Sequence, residues 1–382
     1  MDNKVTFAPC ASYSEEDIRK AFDEILTPLG DLDFIKPGMT VAIKLNLVTM
    51  MKPDKAATTH PACVKELCRR ITEKGANAVI GDSPGGPFTG IYLSRVYSVC
   101  GLTELEREGV TLNRDFEASK EEKFTDAAIM KSFEYTSWLK KADCIINFAK
   151  LKTHGMMGLS CAVKNMFGAI PGTVKPEYHF RYPNAKDFAD MLIDLNRYFK
   201  PVFNIVDAVV GMEGNGPTMG KPRFIGGMLA SANPYNLDCV CAHIIGLDEA
   251  MVPTLECAID AGLGAKYKDI EIIGDPASID DFQNIEKANS IEFLNELVGF
   301  KGKIFGKIAK AAMCSRPKLT PRQCIGCKKC NDICPAKAIT MKKGKPDIDR
   351  SKCIRCFCCQ EFCPKGALKV HRPAIAKLLT KL

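Results

Sequence analysis

Two short stretches near the C-terminus carry the side chains whose chemistry is easiest to recognise. Each has the spacing C-x2-C-x2-C-x3-C-P, and the second copy begins 29 residues after the first. In this spacing three thiolates reach three irons of one cube, whereas the fourth is carried to a second cube. We therefore expect two [4Fe–4S] clusters with crossed ligands. The ligands of the first are Cys324, Cys327, Cys330 and Cys363, and those of the second are Cys353, Cys356, Cys359 and Cys334.

The other eleven cysteines do not share this spacing. Pairs of the C-x2-C type also occur in zinc ribbons, but a ribbon does not need four thiolates and a proline twice over. We expect the remaining cysteines to be small, buried apolar residues in a reducing compartment. They are Cys10, Cys63, Cys68, Cys100, Cys144, Cys161, Cys239, Cys241, Cys257, Cys314 and Cys358.

A second group of reactive side chains follows a predicted strand in the middle of the chain. The segment 151–168 contains His154, Lys164 and Asn165, and His179 lies shortly after it. Loops at the carboxyl ends of parallel strands are where α/β proteins build their sites. Histidine and lysine together suit an anionic ligand and proton transfer. We predict His154, Lys164 and His179 as catalytic residues; the alternative is a surface loop whose charged groups are solvated.

Five residues are expected to complete this pocket and to bind a cofactor that the sequence does not identify. They are Lys44, Asn46, Asn165, Asp207 and Glu213. The usual phosphate-binding signatures are missing from the sequence, since no G-x-G-x-x-G opens a helix and no P-loop motif occurs. The glycine-rich segment 214–220 is only a weak signal for nucleotide binding. It is more typical of a glycine-rich wall of a binding site.

The elements that position these residues alternate in type over residues 1–285. Short apolar runs alternate with amphipathic stretches, which predicts an α/β domain with a largely parallel sheet. Helices are predicted to begin after Ser14, at Pro61 and at Asn184, where a capping residue or a first-turn proline precedes apolar periodicity. The predicted strands are Lys4–Ala8, Thr40–Leu45, Ala78–Gly81, Cys144–Phe148, Phe203–Val206, Met228–Ala230 and Ile270–Ile273.

Three further segments are predicted after this domain. Residues 286–320 indicate a helical linker, because apolar residues recur there at helical spacing between lysines. The linker either packs against the body or lies on a membrane surface as a basic amphipathic helix. Residues 321–372 are expected to form the small α+β two-[4Fe–4S] module, with a hairpin around 342–345, and residues 373–382 a basic tail.

Charge is divided unevenly along the chain. The formal net charge is +8, yet residues 301–382 contain 21 of the 53 Lys and Arg and only 4 of the 45 Asp and Glu. The part with the module is therefore strongly basic and the part before it is acidic. An acidic redox partner of the ferredoxin or flavodoxin class, or the acidic body itself, is the expected counterpart. Nucleic acid is disfavoured, because no helix or aromatic platform for reading bases stands out.

Both parts of the chain resemble known families. Residues 323–370 are similar to the bacterial two-[4Fe–4S] ferredoxins. Residues 4–275 resemble the family of the domain of unknown function 362, whose members often carry a ferredoxin module at the C-terminus. The resemblance implies the fold and the location of a site more than a reaction. The motifs that carry it are Lys44-Leu-Asn46, Thr58-Thr-His60-Pro61, Gly81-Asp-Ser83-Pro84-Gly85, the His154–Lys164 loop, Asp207 with Glu213-Gly-Asn-Gly216-Pro217, and Asn233-Pro-Tyr-Asn-Leu-Asp238.

A fainter resemblance links the body to the nickel-pincer nucleotide lactate racemases. His154, Lys164, Pro171-Gly172 and His179 stand at closely matching spacing. The resemblance implies that Lys164 bears the pincer cofactor and that His179 binds nickel. The Thr-His and Gly-Gly-Arg motifs of the racemases are replaced here by other residues, so a shared scaffold and pocket is what the resemblance supports.

Three functions follow from these patterns. The first is an iron–sulfur oxidoreductase that passes electrons between the two clusters and a small-molecule substrate in the body pocket. The second is a non-catalytic electron carrier or cluster-delivery protein. The third is a racemase-like or isomerase-like enzyme with an organometallic or nucleotide cofactor. No stretch reaches the ~18 consecutive apolar residues that span a bilayer, and no signal peptide opens the chain, so a cytoplasmic, anaerobic setting is expected.

Overall fold

A computed structural model describes residues 3–285 and 316–371 of the chain. Most of the predicted linker, including its alternative role on a membrane surface, and the predicted basic tail lie outside the described residues. In the part that is described, no helix is long and apolar enough to cross a bilayer.

A nine-stranded sheet forms the centre of the body. Five of its strand pairs are parallel, whereas the long strand Lys221–Ser231 runs antiparallel to both of its neighbours. The largely parallel sheet predicted from the sequence is therefore confirmed. In spatial order its strands are β11 (Glu271–Ile273), β1 (Lys4–Pro9), β10 (Lys221–Ser231), β9 (Phe203–Glu213), β7 (Cys144–His154), β2 (Thr40–Lys44), β3 (Asn77–Gly81) and β4 (Thr111–Leu112), with β8 (Gly158–Ser160) paired to β7.

Helices cover both faces of this sheet. Alternate residues of one strand point to opposite faces of the sheet. Val41 and Ile43 of β2 therefore pack in the core on one face, with the helices that precede residue 100, whereas Ala42 packs on the other face, with helices that follow residue 160. The helices are α1 (Glu15–Leu26), α2 (Pro61–Glu73), α3 (Gly90–Val99), α4 (Ala162–Asn165), α5 (Lys175–Arg181), α6 (Ala185–Phe199), α7 (Pro234–Ile244) and α8 (Pro253–Asp260).

The predicted helix starts are confirmed by their capping contacts. The Ser14 side chain accepts a hydrogen bond from the Asp17 N–H, and the Asn184 side chain accepts one from the Asp187 N–H. Pro61 occupies the first turn of α2, where a missing N–H does no harm. A small hairpin of β5 (Ala118–Lys123) and β6 (Ser132–Thr136) was not predicted.

All seven predicted strands are present, but β7, β9 and β10 are longer than expected. Each has 11 residues, whereas the predictions end at Phe148 for β7 and at Val206 for β9, and begin only at Met228 for β10. The added part of β7 contains Lys150 and Lys152, which are polar yet buried, with about 1% of each exposed. A central strand covered on both sides can hold such side chains only when they are paired, and this pairing is not visible in a hydrophobic pattern.

The cluster module consists of two short antiparallel strand pairs and two single-turn helices. Strand β12 (Arg316–Leu319) pairs with β15 (Leu368–His371), and β13 (Ile339–Lys342) pairs with β14 (Lys345–Ile348). The predicted hairpin is thus present, with positive φ at Lys343 and Gly344. The helices are α9 (Lys329–Asp332) and α10 (Cys358–Glu361). Residues 316–319, predicted as linker, belong structurally to the module.

Candidate functional site

The eight predicted cluster cysteines surround two separate cavities of the module. One cavity is lined by Cys324, Cys327, Cys330 and Cys363, and the other is lined by Cys334, Cys353, Cys356 and Cys359. The structure therefore brings together the two crossed sets that the spacing predicts. Apolar residues such as Leu368 and Ile339 complete the walls, and these two are 1% and 3% exposed.

The two halves of the module repeat the same backbone details. The exchanged cysteine of each set accepts a backbone hydrogen bond, from the Ala338 N–H to Cys334 Sγ at 3.2 Å and from the Ala367 N–H to Cys363 Sγ at 3.2 Å. A hydrogen bond of this kind favours the thiolate that holds iron and influences its potential. The repeat is thus structural as well as sequential.

These residues fit [4Fe–4S] clusters better than single metal ions. A cubane needs thiolates spread around a cavity, whereas one zinc ion needs its four ligands close together. Over residues 3–285 and 316–371, no group of three or more His, Cys, Asp or Glu is arranged to hold a single metal ion. The nine remaining described cysteines of the body, and Cys358 in the module, are buried free thiols, as predicted; Cys314 lies outside the described residues.

A polar pocket lies where β2, β3 and β7 approach the same edge of the sheet. Asn46 follows β2, Asp82 follows β3, and Lys152 lies in the later part of β7. Lys164 in α4 and Lys175 at the start of α5 line the same pocket. Carboxyl ends of parallel strands are the expected place for a site in such a fold.

A buried ion pair forms one side of the pocket. Lys44 Nζ lies 2.7 Å from Asp82 Oδ1, and the two side chains are 0% and 5% exposed. The other carboxylate oxygen of Asp82 accepts the Leu47 N–H at 2.8 Å. Burial lowers the pKa of Lys44, while Asp82 opposes that shift. A Cβ at Gly168 would lie 2.1 Å from Asp82 Oδ1, so this position requires glycine.

Asparagine amides form the floor of the pocket. Asn46 Nδ2 donates to Asn165 Oδ1 at 3.0 Å, and Asn165 Nδ2 donates to Asn147 Oδ1 at 2.7 Å. Lys152 Nζ donates to Asn46 Oδ1 at 2.6 Å and to the Ala57 carbonyl at 2.7 Å. Because each amide uses both of its ends, the floor is held in one orientation.

Three lysines crowd the pocket from the body side. Burial, followed by the charge of Lys164, lowers the pKa of Lys152 to about 7. Burial also lowers the pKa of Lys175 to about 8 and lowers that of Lys164. Glu361 of the module opposes the shift at all three lysines. Lys175 Nζ also donates to the Ser83 carbonyl.

His179 lies in the same pocket as a neutral imidazole. Its ring stacks on Phe188 with centroids 4.4 Å apart and an interplanar angle of 8°. Burial, with Lys164 and Lys175 nearby, lowers its pKa to about 3. Its Nδ1 has no hydrogen-bond partner among the described residues, which leaves a buried polar atom that these residues do not satisfy.

The module supplies the remaining wall of the pocket. Cys358, Glu361 and Phe362, in and after α10, line it together with the body residues. The phenyl ring of Phe362 packs so closely on Gly85 that a Cβ there would lie 2.6 Å from it. Cys358 also lines the cavity of the second cysteine set, and so belongs to both sites.

Hydrogen bonds hold α10 in this place. Gln360 Nε2 donates to the Asn215 carbonyl at 3.1 Å, and Thr218 Oγ1 donates to the Glu361 carbonyl at 3.1 Å. Taken as a whole, the module is basic and the body is acidic. At the pocket the signs are reversed, because the module contributes a glutamate and the body contributes lysines.

Three of the predicted site residues lie elsewhere. Asp207 pairs with Lys150 Nζ at 2.8 Å and accepts the Tyr13 hydroxyl at 2.9 Å. Glu213 accepts the Gln283 N–H at 3.1 Å. His154 Nδ1 accepts the N–H groups of the two residues 156 and 157, which shapes the turn between β7 and β8. The residues Lys164, His179, Asn46 and Asn165 do line the pocket, and Lys44 stands behind it.

Several pocket residues were missed from the sequence. Asp82 and Ser83 follow β3, and a polar pair directly after a buried strand is a usable signal. Lys152 lies in the segment that contains the predicted site, but the predicted strand ends at Phe148 and therefore does not place the Lys152 side chain. Cys358 and Glu361 come from the other domain, and no local pattern indicates that they face the body.

Two family models match the chain. Residues 41–243 match the domain of unknown function DUF362, and residues 316–364 match a 4Fe-4S dicluster domain. A thylakoid-associated protein of Synechocystis sp. is 31% identical over 266 residues, which is 69% of this chain and 81% of that protein.

Solved structures show fainter likenesses. The lactate racemase apoprotein from Thermoanaerobacterium thermosaccharolyticum has a TM-score of 0.42 and 12% identity, over 64% of this chain and 57% of the racemase. A protein from Thermotoga maritima has a TM-score of 0.34 and 14% identity, over 57% of this chain and 56% of its own. The predicted faint resemblance to lactate racemases is thus found again, but it supports no conclusion about function. From its sequence matches, the chain belongs to the DUF362 family and carries a 4Fe-4S dicluster domain after the family domain.

Proposed function

We propose that the protein is an iron–sulfur oxidoreductase that passes electrons between two [4Fe–4S] clusters in the module and a small molecule in the body pocket. The observation that carries this proposal is the position of α10. Its Cys358 lines both the pocket and the cavity of Cys334, Cys353, Cys356 and Cys359. A protein that only exchanges electrons at its surface does not need a cluster-binding helix as the wall of a polar pocket.

The roles of the residues follow from where they lie. The two crossed cysteine sets hold the clusters, which when bound supply one-electron transfer. Lys152, Lys164 and Lys175 attract an anionic substrate, and the amides of Asn46 and Asn165 orient it. His179 is proposed to exchange a proton with the substrate through its unpaired Nδ1, because a bound anion would raise its pKa from about 3 towards the range in which the ring accepts a proton. His154 supports the pocket through the β7–β8 turn.

An acidic redox partner is proposed to dock at the exposed surface of the module around the first cysteine set. Ile325 is 62% exposed, and Cys327 beside it is also exposed. Lys328, Lys329 and Lys365 are exposed around the same cavity. An apolar side chain within a ring of lysines suits an acidic ferredoxin or flavodoxin. We propose the cytoplasm as the location.

A racemase-like or isomerase-like enzyme with an organometallic or nucleotide cofactor is the second candidate. The observation that favours it is that Lys164 and His179 line one pocket. Native mass spectrometry of the purified protein and its nickel content separate the two candidates. A covalent adduct on Lys164 together with bound nickel supports the racemase-like enzyme, and iron without nickel or adduct supports the oxidoreductase.

The oxidoreductase is tested by reoxidation of the reduced protein. Anaerobically purified protein with about eight irons per chain is reduced, and the return of its visible absorbance is followed with a panel of small carboxylates and phosphate esters that carry a reducible carbonyl group or carbon–carbon double bond as the electron acceptor. At least one compound should reoxidise the wild type, and Lys164→Gln and His179→Gln should slow this without loss of iron. The control is Lys20→Gln, since that lysine is 73% exposed on the surface of α1. Equal rates in all four proteins would contradict the proposal.

A further inference from the structure

We infer that the body pocket binds a small ligand with two negative charges, such as a dicarboxylate or a phosphate, between the three lysines of the body and helix α10. The inference deepens the proposed function, because it names the class of substrate for the same pocket. It does not depend on electron transfer, since binding can be measured with the clusters in one redox state.

The charge balance of the pocket carries this inference. Among the described residues, the charged side chains that line it are Asp82, Lys152, Lys164, Lys175 and Glu361. Asp82 is compensated by Lys44, which lies behind it at 2.7 Å. When all three lysines are protonated they face one glutamate, so two of these positive charges have no carboxylate partner among the described side chains that line the pocket. Uncompensated charge in a partly enclosed site is costly, and a dianion would remove it.

The hydrogen-bonding state of the lining residues points the same way. Lys164 Nζ has an aromatic neighbour, Phe167, at 5.9 Å from its ring centre, and no hydrogen-bond acceptor in residues 3–285 and 316–371. His179 is 4% exposed and its Nδ1 has no partner there either. Lys152 uses two of its three N–H donors on Asn46 and Ala57. These unused polar groups suit a ligand rich in acceptor oxygens.

The walls restrict the size of that ligand. The cavity measures about 60 Å³ in the volume open to the centres of water-sized atoms. A Cβ at Gly172 would lie 2.0 Å from the Pro84 carbonyl oxygen, so two backbone segments are in close contact on one side. Phe362 closes the other side against Gly85. A compact dianion is therefore favoured over a large one.

The lysines also predict how binding depends on pH. The pKa values of Lys152 and Lys175 are lowered to about 7 and about 8, mainly by burial. A nearby dianion favours the protonated amines and raises these values. Binding should therefore take up protons near neutral pH, and affinity should fall as the pH rises above about 8.

Calorimetric titration of the anaerobically purified, cluster-loaded protein tests the inference. The probes are malonate, succinate and inorganic phosphate, with acetate as the matched monoanion, each in two buffers of different ionisation enthalpy. At least one dianion should bind about tenfold or more tightly than acetate, with proton uptake. Comparing malonate and succinate with inorganic phosphate shows whether the pocket prefers a dicarboxylate or a phosphate.

Variants link binding to this pocket. Lys164→Gln should weaken dianion binding about tenfold or more, whereas Lys164→Arg should retain most of it and Lys20→Gln should match the wild type. Iron content and thermal unfolding show whether each variant is intact. Acetate binding as tightly as every dianion, no binding of any probe, or unchanged dianion affinity in Lys164→Gln would each overturn the inference.

The two proposals fail in different ways. If dianions bind with proton uptake but no compound of the reducible panel reoxidises the reduced protein, the inference stands and the oxidoreductase proposal fails. If an uncharged or monoanionic compound reoxidises the protein through the pocket while no dianion binds, the function stands and the inference is overturned.

Discussion

The module and the body build their sites in opposite ways. In the module, all eight predicted ligands lie within one segment of 40 residues, from Cys324 to Cys363. Their spacing alone predicts which four cysteines bind the same cluster. In the body, the pocket collects Asn46, Asp82, Lys152 and Lys175 from separate strands and helices and Glu361 from the other domain. The first kind of site is encoded locally, whereas the second exists only after the sheet has formed.

The largest expected effect comes from removing an exchanged cysteine. Cys363→Ser should disturb the same cluster as Cys327→Ser, with loss of about half of the iron, because both residues line one cavity. Iron analysis and electron paramagnetic resonance of the reduced variants measure this. Cys358→Ser is the control and should keep the full iron content. If Cys363→Ser instead gave the spectrum of Cys356→Ser, the crossed assignment would be incorrect.

In the body, the largest expected effect comes from the ion pair behind the pocket. Lys44→Met leaves Asp82 buried without its partner and should lower the free energy of unfolding by about 3–5 kcal/mol. The control is Lys65→Met, where a pair with Glu108 is about half exposed and worth at most about 1 kcal/mol. Anaerobic denaturant unfolding measures both changes. Equal losses in the two variants would show that Lys44 and Asp82 do not form a buried pair.

What could be predicted from the sequence follows the same division. The cysteine sets and the strands of the sheet follow from spacing and apolar periodicity. Lys164, His179, Asn46 and Asn165 were found because they lie after predicted strands. Asp207 was misplaced, because the chemistry of a side chain does not reveal which side of a strand it occupies. Its partner Lys150 and the pocket residue Lys152 both lie in the polar, buried extension of β7 that no hydrophobic pattern indicates.

The junction between the regions should show an intermediate effect. Gln360→Ala removes the donor to the Asn215 carbonyl and should lower the free energy of unfolding by about 1–2 kcal/mol. Protease sensitivity of the module should increase as well, because this contact holds α10 against the body. The matched control is Gln323→Ala, at an exposed position of the same module. No difference between the two variants would mean that α10 is not held by this contact.

The smallest expected effect is a change in how steeply the free energy of unfolding varies with pH. The pKa of Lys175 falls from 10.5 to about 8 on folding, mainly through burial. The unfolded chain therefore binds more protons between these two pH values, so this lysine makes stability rise with pH there. Lys175→Met should flatten that rise in the free energy of unfolding, whereas Lys65→Met should not. An unchanged slope in Lys175→Met would show that the amine is not desolvated.

The central claim is that α10 joins the cluster site and the pocket into one site, and redox titration tests it most directly. Lys164→Gln removes a positive charge beside Cys358, which should make reduction of the nearby cluster less favourable. Measured below the lowered pKa values of the pocket lysines, one of the two reduction potentials should become more negative, while Lys20→Gln leaves both unchanged. Two potentials that are the same in Lys164→Gln as in the wild type would contradict the claim.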